Sequence, residues 1–390
     1  MSVFTFIFPF RDRDILRVEK CLESLKSQTI SNFTVFLVDF GSREELRKEL
    51  SPLISRYSFC HLIRLNTYGR IWCKPTALNA GLAKVKTPFV ITTDIDMIFS
   101  PGFMKYITSL ADLTDRLFMQ CYYLPEDRSN NSLERIFSIN SVALSKLELS
   151  EKDVAFGGFQ CTSTETLRFI GGYDPFYTFW GAEDNDVNKR LAATGQQGKW
   201  GNPEIAPYFH LWHPKVSSIT SLANPKGWNE YLHLYRKLNN TVVRKDDSCN
   251  YNYNSIDRPI DKYLTSRMIG DIKILKYFPV EGPLVMDHFQ LQTVIDMMKK
   301  GEVLQLRYIN RNKYAKKALL LLFDRLIESI RWRFKIDIKY NRNSKQNEEL
   351  SYFQAKDNLL WLILDLKSEH KIIDYHLLYD DCELNAYLMK

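Results

Sequence analysis

No C-x-x-C pair, no G-x-G-x-x-G after the first apolar run and no G-x-x-x-x-G-K-[ST] occur in this sequence. The last two absences remove a Rossmann dinucleotide site and a P-loop. Seven cysteines, at 21, 60, 73, 121, 161, 249 and 382, are scattered and odd in number. That excludes a thiolate zinc site and a disulfide framework, and points to reduced thiols in a cytosolic protein. No stretch approaches the ~20 apolar residues of a membrane span. The first apolar run, 3–10, has no basic leader and is β-branched and aromatic, so a strand is expected there rather than a secretory signal. No internal repeat is present. With no recognised nucleic-acid module and a net charge of only +7, nucleic acid is not an expected partner.

What is present is a chain of 390 residues, 45% apolar and 25% charged. It is long enough for a large core and for two domains. Short apolar runs at 3–10, 33–39, 61–65 and 89–93 alternate with helix-like segments at 15–27 and 76–84. Alternation of this kind implies a mainly parallel α/β sheet with ligands at the carboxyl ends of its strands. Those ends are polar: Pro9-Phe10-Arg11-Asp12-Arg13, Asp39-Phe40-Gly41-Ser42 and Asp94-Ile95-Asp96. A domain over 1–238, a turn-rich linker over 239–262 and a mostly helical region over 263–390 are the expected divisions.

The D-x-D spacing occurs three times, at Asp12/Asp14, Asp94/Asp96 and Asp184/Asp186. Only Asp94/Asp96 directly follows a buried-looking strand, where a turn can aim carboxylates at one divalent cation, Mg²⁺ or Mn²⁺. An ordinary solvated turn is the plainer alternative, and the other polar strand ends weigh against it. His210 and His213 lie three apart downstream, and an imidazole ligand beside carboxylates tilts the choice toward Mn²⁺. Arg11 and Arg13 sit at alternate positions after the first run and suit a phosphate. They equally suit a solvated loop paired with Asp12 and Asp14. The block 157–191 combines two Gly-Gly pairs, an aromatic loop ending in Trp180 and the run Glu183-Asp184-Asn185-Asp186 opening a helix. Acids cap helices; three of them beside Trp180 exceed that need and resemble a sugar pocket with an aromatic wall.

In this order the motifs resemble the nucleotide-sugar glycosyltransferases of GT-A fold, family 2 type. The 157–191 block is similar to the C-terminal segment of β-1,4-galactosyltransferases and bacterial chondroitin-polymerase-like enzymes. The resemblance spans roughly 3–214. It implies nucleotide-sugar contacts from Pro9, Phe10, Arg11, Arg13, Asp39 (on the uracil edge), Lys74, Asn79, Asp94, Gly158 and Trp180. It implies metal ligation by Asp96 and His213, with His210 in the place of a second ligand. It also implies a donor such as UDP-Gal, UDP-GalNAc, UDP-GlcNAc or UDP-GlcA, and a glycan or lipid-linked glycan acceptor. A role in bacterial surface polysaccharide or capsule synthesis follows from the same resemblance. Two departures stand out: Ala182 where glycine is usual, and Asn185 where a third acid is usual.

Transfer needs a base for the acceptor hydroxyl. Asp184 is expected to supply it, with Glu183 orienting a sugar and Trp180 giving an apolar face. One base opposite the leaving group implies inversion. The competing classes are a non-catalytic nucleotide-sugar-binding subunit and a retaining transferase on the same fold. Residues 303–345 hold twelve Lys/Arg against three Asp/Glu. With leucines at helical spacing, they would suit peripheral contact with the inner face of the cell membrane, or a helical domain with a solvated basic face.

Overall fold

Every residue of the first strand, β1 (Phe4–Phe10), is buried, and its alternation decides which layer each side chain joins. Phe4, Phe6, Phe8 and Phe10 enter one core cluster, whereas Ile7 enters another on the opposite face. A strand covered on both sides belongs in the middle of a parallel sheet, and that is where β1 lies. The computed structural model describes residues 2–153, 156–214, 224–244, 258, 260, 264, 274–277, 288–309, 345–380 and 383–390.

The elements that follow are α1 (Ile15–Lys26), β2 (Phe33–Asp39), α2 (Glu44–Ile54), β3 (Cys60–Arg64), α3 (Lys74–Leu82), β4 (Phe89–Thr92), β5 (Met97–Phe99) and α4 (Phe103–Leu110). Then come β6 (Asp115–Phe118), β7 (Tyr122–Tyr123), three short helices α5–α7 (Glu126–Ser129, Leu133–Phe137, Ser141–Leu144) and β8 (Glu148–Leu149). The domain continues with β9 (Gln160–Ser163), α8 (Thr164–Phe169), α9 (Glu183–Ala193), β10 (Gln197–Trp200), β11 (Tyr208–His210) and α10 (Trp228–Leu238).

Seven strands form one sheet in the order β10-β6-β9-β4-β1-β2-β3. Only β9 runs antiparallel to its neighbours. A second sheet, β5-β11-β7-β8, stands after the end of β4. In it β5 and β11 pair antiparallel, with Met97 opposite His210. That pairing joins the chain just after Asp96 to the histidine segment more than a hundred residues later.

The chain divides into two compact units, one of residues 1–213 and 230–256, the other of 214–229 and 257–390. The second unit differs from the helical region expected there. It has helices α11 (His288–Met297) and α12 (Lys345–Ser368), but also a four-stranded sheet of β12 (Ile274–Tyr277), β13 (Val303–Ile309), β15 (Glu383–Met389) and β14 (Asp374–Tyr379). Its strands mix polar residues among apolar ones, as in the sequence ELNAYLM. The leucine spacing of α12 was the louder signal. The expected linker also differs at its start, because 239–244 packs into the first unit: the Arg244 amide donates to the Ile170 carbonyl (3.0 Å).

Of the basic stretch 303–345, residues 303–309 form β13, and 310–344, including the leucines at helical spacing, lie outside the described residues. So do Cys249 and Cys382. The other five cysteines are buried thiols. Among the described residues no helix is long and apolar enough to cross a membrane.

Candidate functional site

The turn between β4 and β5 presents two aspartates to two different groups of side chains. Asp94 faces Lys74, whose Nζ lies 3.3 Å from Asp94 Oδ1, 3.3 Å from Glu183 Oε1 and 3.4 Å from Asp184 Oδ2. Asp96, two residues on, points the other way and meets His213 Nε2 at 3.3 Å and His210 Nε2 at 3.7 Å. Strand alternation would put residues two apart on the same side; the turn at Ile95-Asp96 breaks that pattern, so one short segment serves both groups.

Lys74 opens α3 with Pro75 behind it, and all the following helix residues are buried. Its side chain is therefore brought in from the sheet face to the end of β4. Burial on its own pulls the Lys74 ammonium down, but Asp184, Asp94 and Glu183 together hold it well above its usual value. Asp184 moves in the opposite sense: burial dominates and, with repulsion from Glu183 and Asp94, outweighs Lys74 to push its carboxyl up to about 8. Gly157, in a 3₁₀ turn over Phe156–Gly158, explains the tightness. A Cβ there would run into the Asp184 carboxylate, with Lys74 Nζ 3.7 Å away.

At the second group, one ligand atom from each of Asp96, His210 and His213 lies within 4.8 Å of the others. Asp96 is 3% exposed, and its Oδ1 is buried without a hydrogen-bond partner. Burial raises the Asp96 carboxyl, yet the His213 hydrogen bond and the charges of His210, Arg13 and His213 outweigh it and hold the group below the usual carboxylate range. Burial lowers His210, favouring the neutral imidazole that a metal requires. A carboxylate and two imidazoles with an unused buried oxygen fit a divalent cation of the Mn²⁺ class.

The remaining expected residues divide. Arg11 donates to the Arg70 carbonyl (2.6 Å) and lies over the Phe40 ring, at the same strand ends. Arg13 is close enough to act electrostatically on Asp96 and His210. Asp39 is 1% exposed: one carboxylate oxygen accepts from the Ser42 amide (2.8 Å), and the other lies 3.8 Å from Arg47 Nε with no hydrogen bond. Gly158 accepts from Thr93 Oγ1 (2.6 Å) through its carbonyl. Trp180 is 67% exposed, so its ring is not part of the core.

Three expected contacts are placed elsewhere. Pro9 and Phe10 are buried within β1, and Phe10 belongs to the core. The polar neighbours drew attention to this strand end, but the pleat turns Phe10 inward. Asn79 is buried and holds the Tyr173 backbone at both ends of its amide (2.7 and 2.8 Å). It clamps the Gly171-Gly172 turn rather than facing the crevice, because the face of α3 that carries it packs inside. Sequence reasoning also passed over Tyr173, whose hydroxyl meets Thr92 (2.7 Å) beneath the Lys74 group. Its position directly after the Gly-Gly pair was the available signal.

Residues 5–167 match the glycosyl transferase family 2 model, and residues 141–214 match the model described as the N-terminal domain of galactosyltransferase. No curated protein matches the chain. Among solved structures, S. aureus TarS is 16% identical, with a TM-score of 0.40, over 55% of this chain and 37% of its own. GalNAc-T7 with UDP, GalNAc and Mn²⁺ is 14% identical, with a TM-score of 0.41, over 55% and 44%. TarS 1–349 in complex with UDP is 15% identical, with a TM-score of 0.38, over 52% and 61%. The chain thus spans less than two thirds of each of them, and likenesses this distant add nothing to the family matches. The two matched segments overlap within the unit that holds both aspartate groups. Residues 5–214 accordingly carry a family 2 glycosyl transferase segment that runs into a galactosyltransferase-type segment.

Proposed function

We propose that the protein moves a sugar from a UDP-sugar to a hydroxyl of a glycan or lipid-linked glycan, with a divalent cation and with inversion. The observation that carries this reading is the division of Asp94 and Asp96 between an acid-lysine group and a carboxylate-imidazole group. Asp96, His213 and His210 would hold the cation, with Mn²⁺ preferred for its tolerance of nitrogen ligands. When bound, such a cation supplies Lewis-acid stabilisation to a departing diphosphate.

The chain's own residues supply the rest. Arg11, Arg13 and Lys74 bring positive charge to the phosphate side. The unsatisfied oxygen of Asp39 is an acceptor suited to a base N–H. On the acceptor side Asp184 takes the proton of the attacking hydroxyl, Glu183 accepts hydrogen bonds from a sugar, and the exposed Trp180 ring offers an apolar face. One base on one face favours a single displacement and hence inversion. Peripheral membrane contact is supported by the sequence alone, through the charge of 303–345.

The test is release of nucleotide from a panel of UDP-, GDP- and CDP-sugars, with and without Mn²⁺ or Mg²⁺. Turnover is expected for a UDP-sugar and is expected to need the cation. Equal turnover after chelation, or a preference for a GDP- or CDP-sugar, would overturn the corresponding part.

A further inference from the structure

The helix that carries Glu183 and Asp184 begins without a cap of its own. Its N-cap residue, Ala182, has φ 70° and no capping side chain, and Phe179 and Gly181 before it also have positive φ. Something else must fix the start of α9. Asp186, one turn in, is 7% exposed. Its Oδ2 accepts from Arg190 Nε (2.7 Å), and its Oδ1 accepts from the Tyr177 hydroxyl (3.1 Å) and Arg244 Nη2 (3.2 Å). The same guanidinium donates through Nε to Asp174 Oδ2 (2.9 Å), which also accepts from the Tyr235 hydroxyl (2.7 Å). Its Nη1 donates to Asn239 Oδ1 and the Thr241 carbonyl, each at 2.6 Å. Every arm of the fork is engaged, so the group cannot pivot.

The backbone is seated as firmly. Gly171 has φ +83°, and a Cβ there would strike the Arg244 carbonyl oxygen, while the Arg244 amide bonds Ile170. Arg244 lies beyond residue 214, where the second family match ends. Nothing in the shared motifs therefore accounts for it.

We infer that Arg244 is a positioning residue for the proposed base: it ties the loop at Asp174 to the first turn of α9 and so keeps Asp184 where a hydroxyl must be deprotonated. Without it Asp174 and Asp186 would face each other across a buried gap with less positive charge between them. The uncapped helix start would then shift. This rests on the reading of Asp184 as base; Arg11 and Asp39, proposed for the donor, are held by other partners, at the Arg70 carbonyl and the Ser42 amide.

The experiment uses the full chain, Mn²⁺ and the UDP-sugar turned over fastest in the panel above, with water as acceptor. Arg244→Gln is expected to lower kcat on the order of 10–100-fold while donor KM and UDP affinity hold. Arg244→Lys is expected to recover part of the loss, because an ammonium still sits between the two carboxylates. Wild-type kcat in a folded Arg244→Gln protein would overturn the inference, and so would a rise in donor KM matching the fall in kcat. If the glutamine variant does not fold, the lysine variant and Asp186→Asn give the same split. Asp184→Asn run alongside separates the failures. Full activity there removes the base reading, whereas an inactive Asp184→Asn beside an unimpaired Arg244→Gln removes only the positioning role.

Discussion

Lys74 is one ammonium among three carboxylates, and burial together with that imbalance decides the protonation of Asp184. With Asp94, Glu183 and Asp184 all within 3.4 Å of Nζ, full ionisation would leave two uncompensated negative charges in a partly desolvated site. The proton settles on Asp184, whose carboxyl is pushed up to about 8 chiefly by burial. A base must be ionised to accept a proton, so donor turnover is expected to be low at acid pH and to climb as pH rises through about 8. Removing the ammonium with Lys74→Gln leaves the carboxylates to repel one another, and the rising limb should move further alkaline. Asp184→Asn should abolish the limb and cost on the order of 10²–10⁴-fold in kcat while UDP still binds. Initial rates across the pH range, with UDP binding measured by calorimetry, check all three. A flat profile through pH 8 would remove Asp184 as the ionising group.

The elements show what a single sequence could reveal. Apolar runs alternating with helices located β1, β2, β3 and β4, and the polar residues after them marked the right ends of the sheet. The run Gln160–Ser163 forms β9 inside the sheet yet has no apolar stretch, so nothing local announced it. Asp186 and Arg244 are 58 residues apart, and their contact exists only once the chain has folded. Phe10 and Asn79 are buried for a related reason: a residue's place in a motif does not say which way the pleat or helix turns it. Ala182 was legible as a departure, and its backbone now gives the departure a consequence. At φ 70° an alanine Cβ is strained and a glycine is not. Ala182→Gly is expected to stabilise the first unit by about 1 kcal/mol, net of the greater freedom glycine has when unfolded. Chemical denaturation measures it, and a destabilised variant would mean that the methyl makes packing contacts worth more than the strain.

All the candidate site residues belong to one of the two units, and that has a consequence for how the whole chain should lose its structure. The second unit contains a deeply buried charge pair: Arg258 and Asp374 side chains are 2% and 1% exposed, with Nε and Oδ2 3.7 Å apart. Arg258 also donates to the Tyr375 carbonyl (2.9 Å), and Asp374 accepts from the Ile260 amide (3.4 Å). Asp374→Asn keeps the shape but takes a buried negative charge away from the Arg258 guanidinium, which costs about 3–5 kcal/mol. Compact units in one chain need not melt together, so calorimetry of this variant should show one transition falling while another holds. Saturating UDP with Mn²⁺ should raise only the transition that holds, by about 2.7 kcal/mol at a hundredfold excess over Kd, because a ligand stabilises the state that binds it. Donor turnover at 25 °C should stay near wild type. A single transition that falls as a whole, with turnover lost in step, would instead mean that the units fold as one and that the site depends on the second for its integrity.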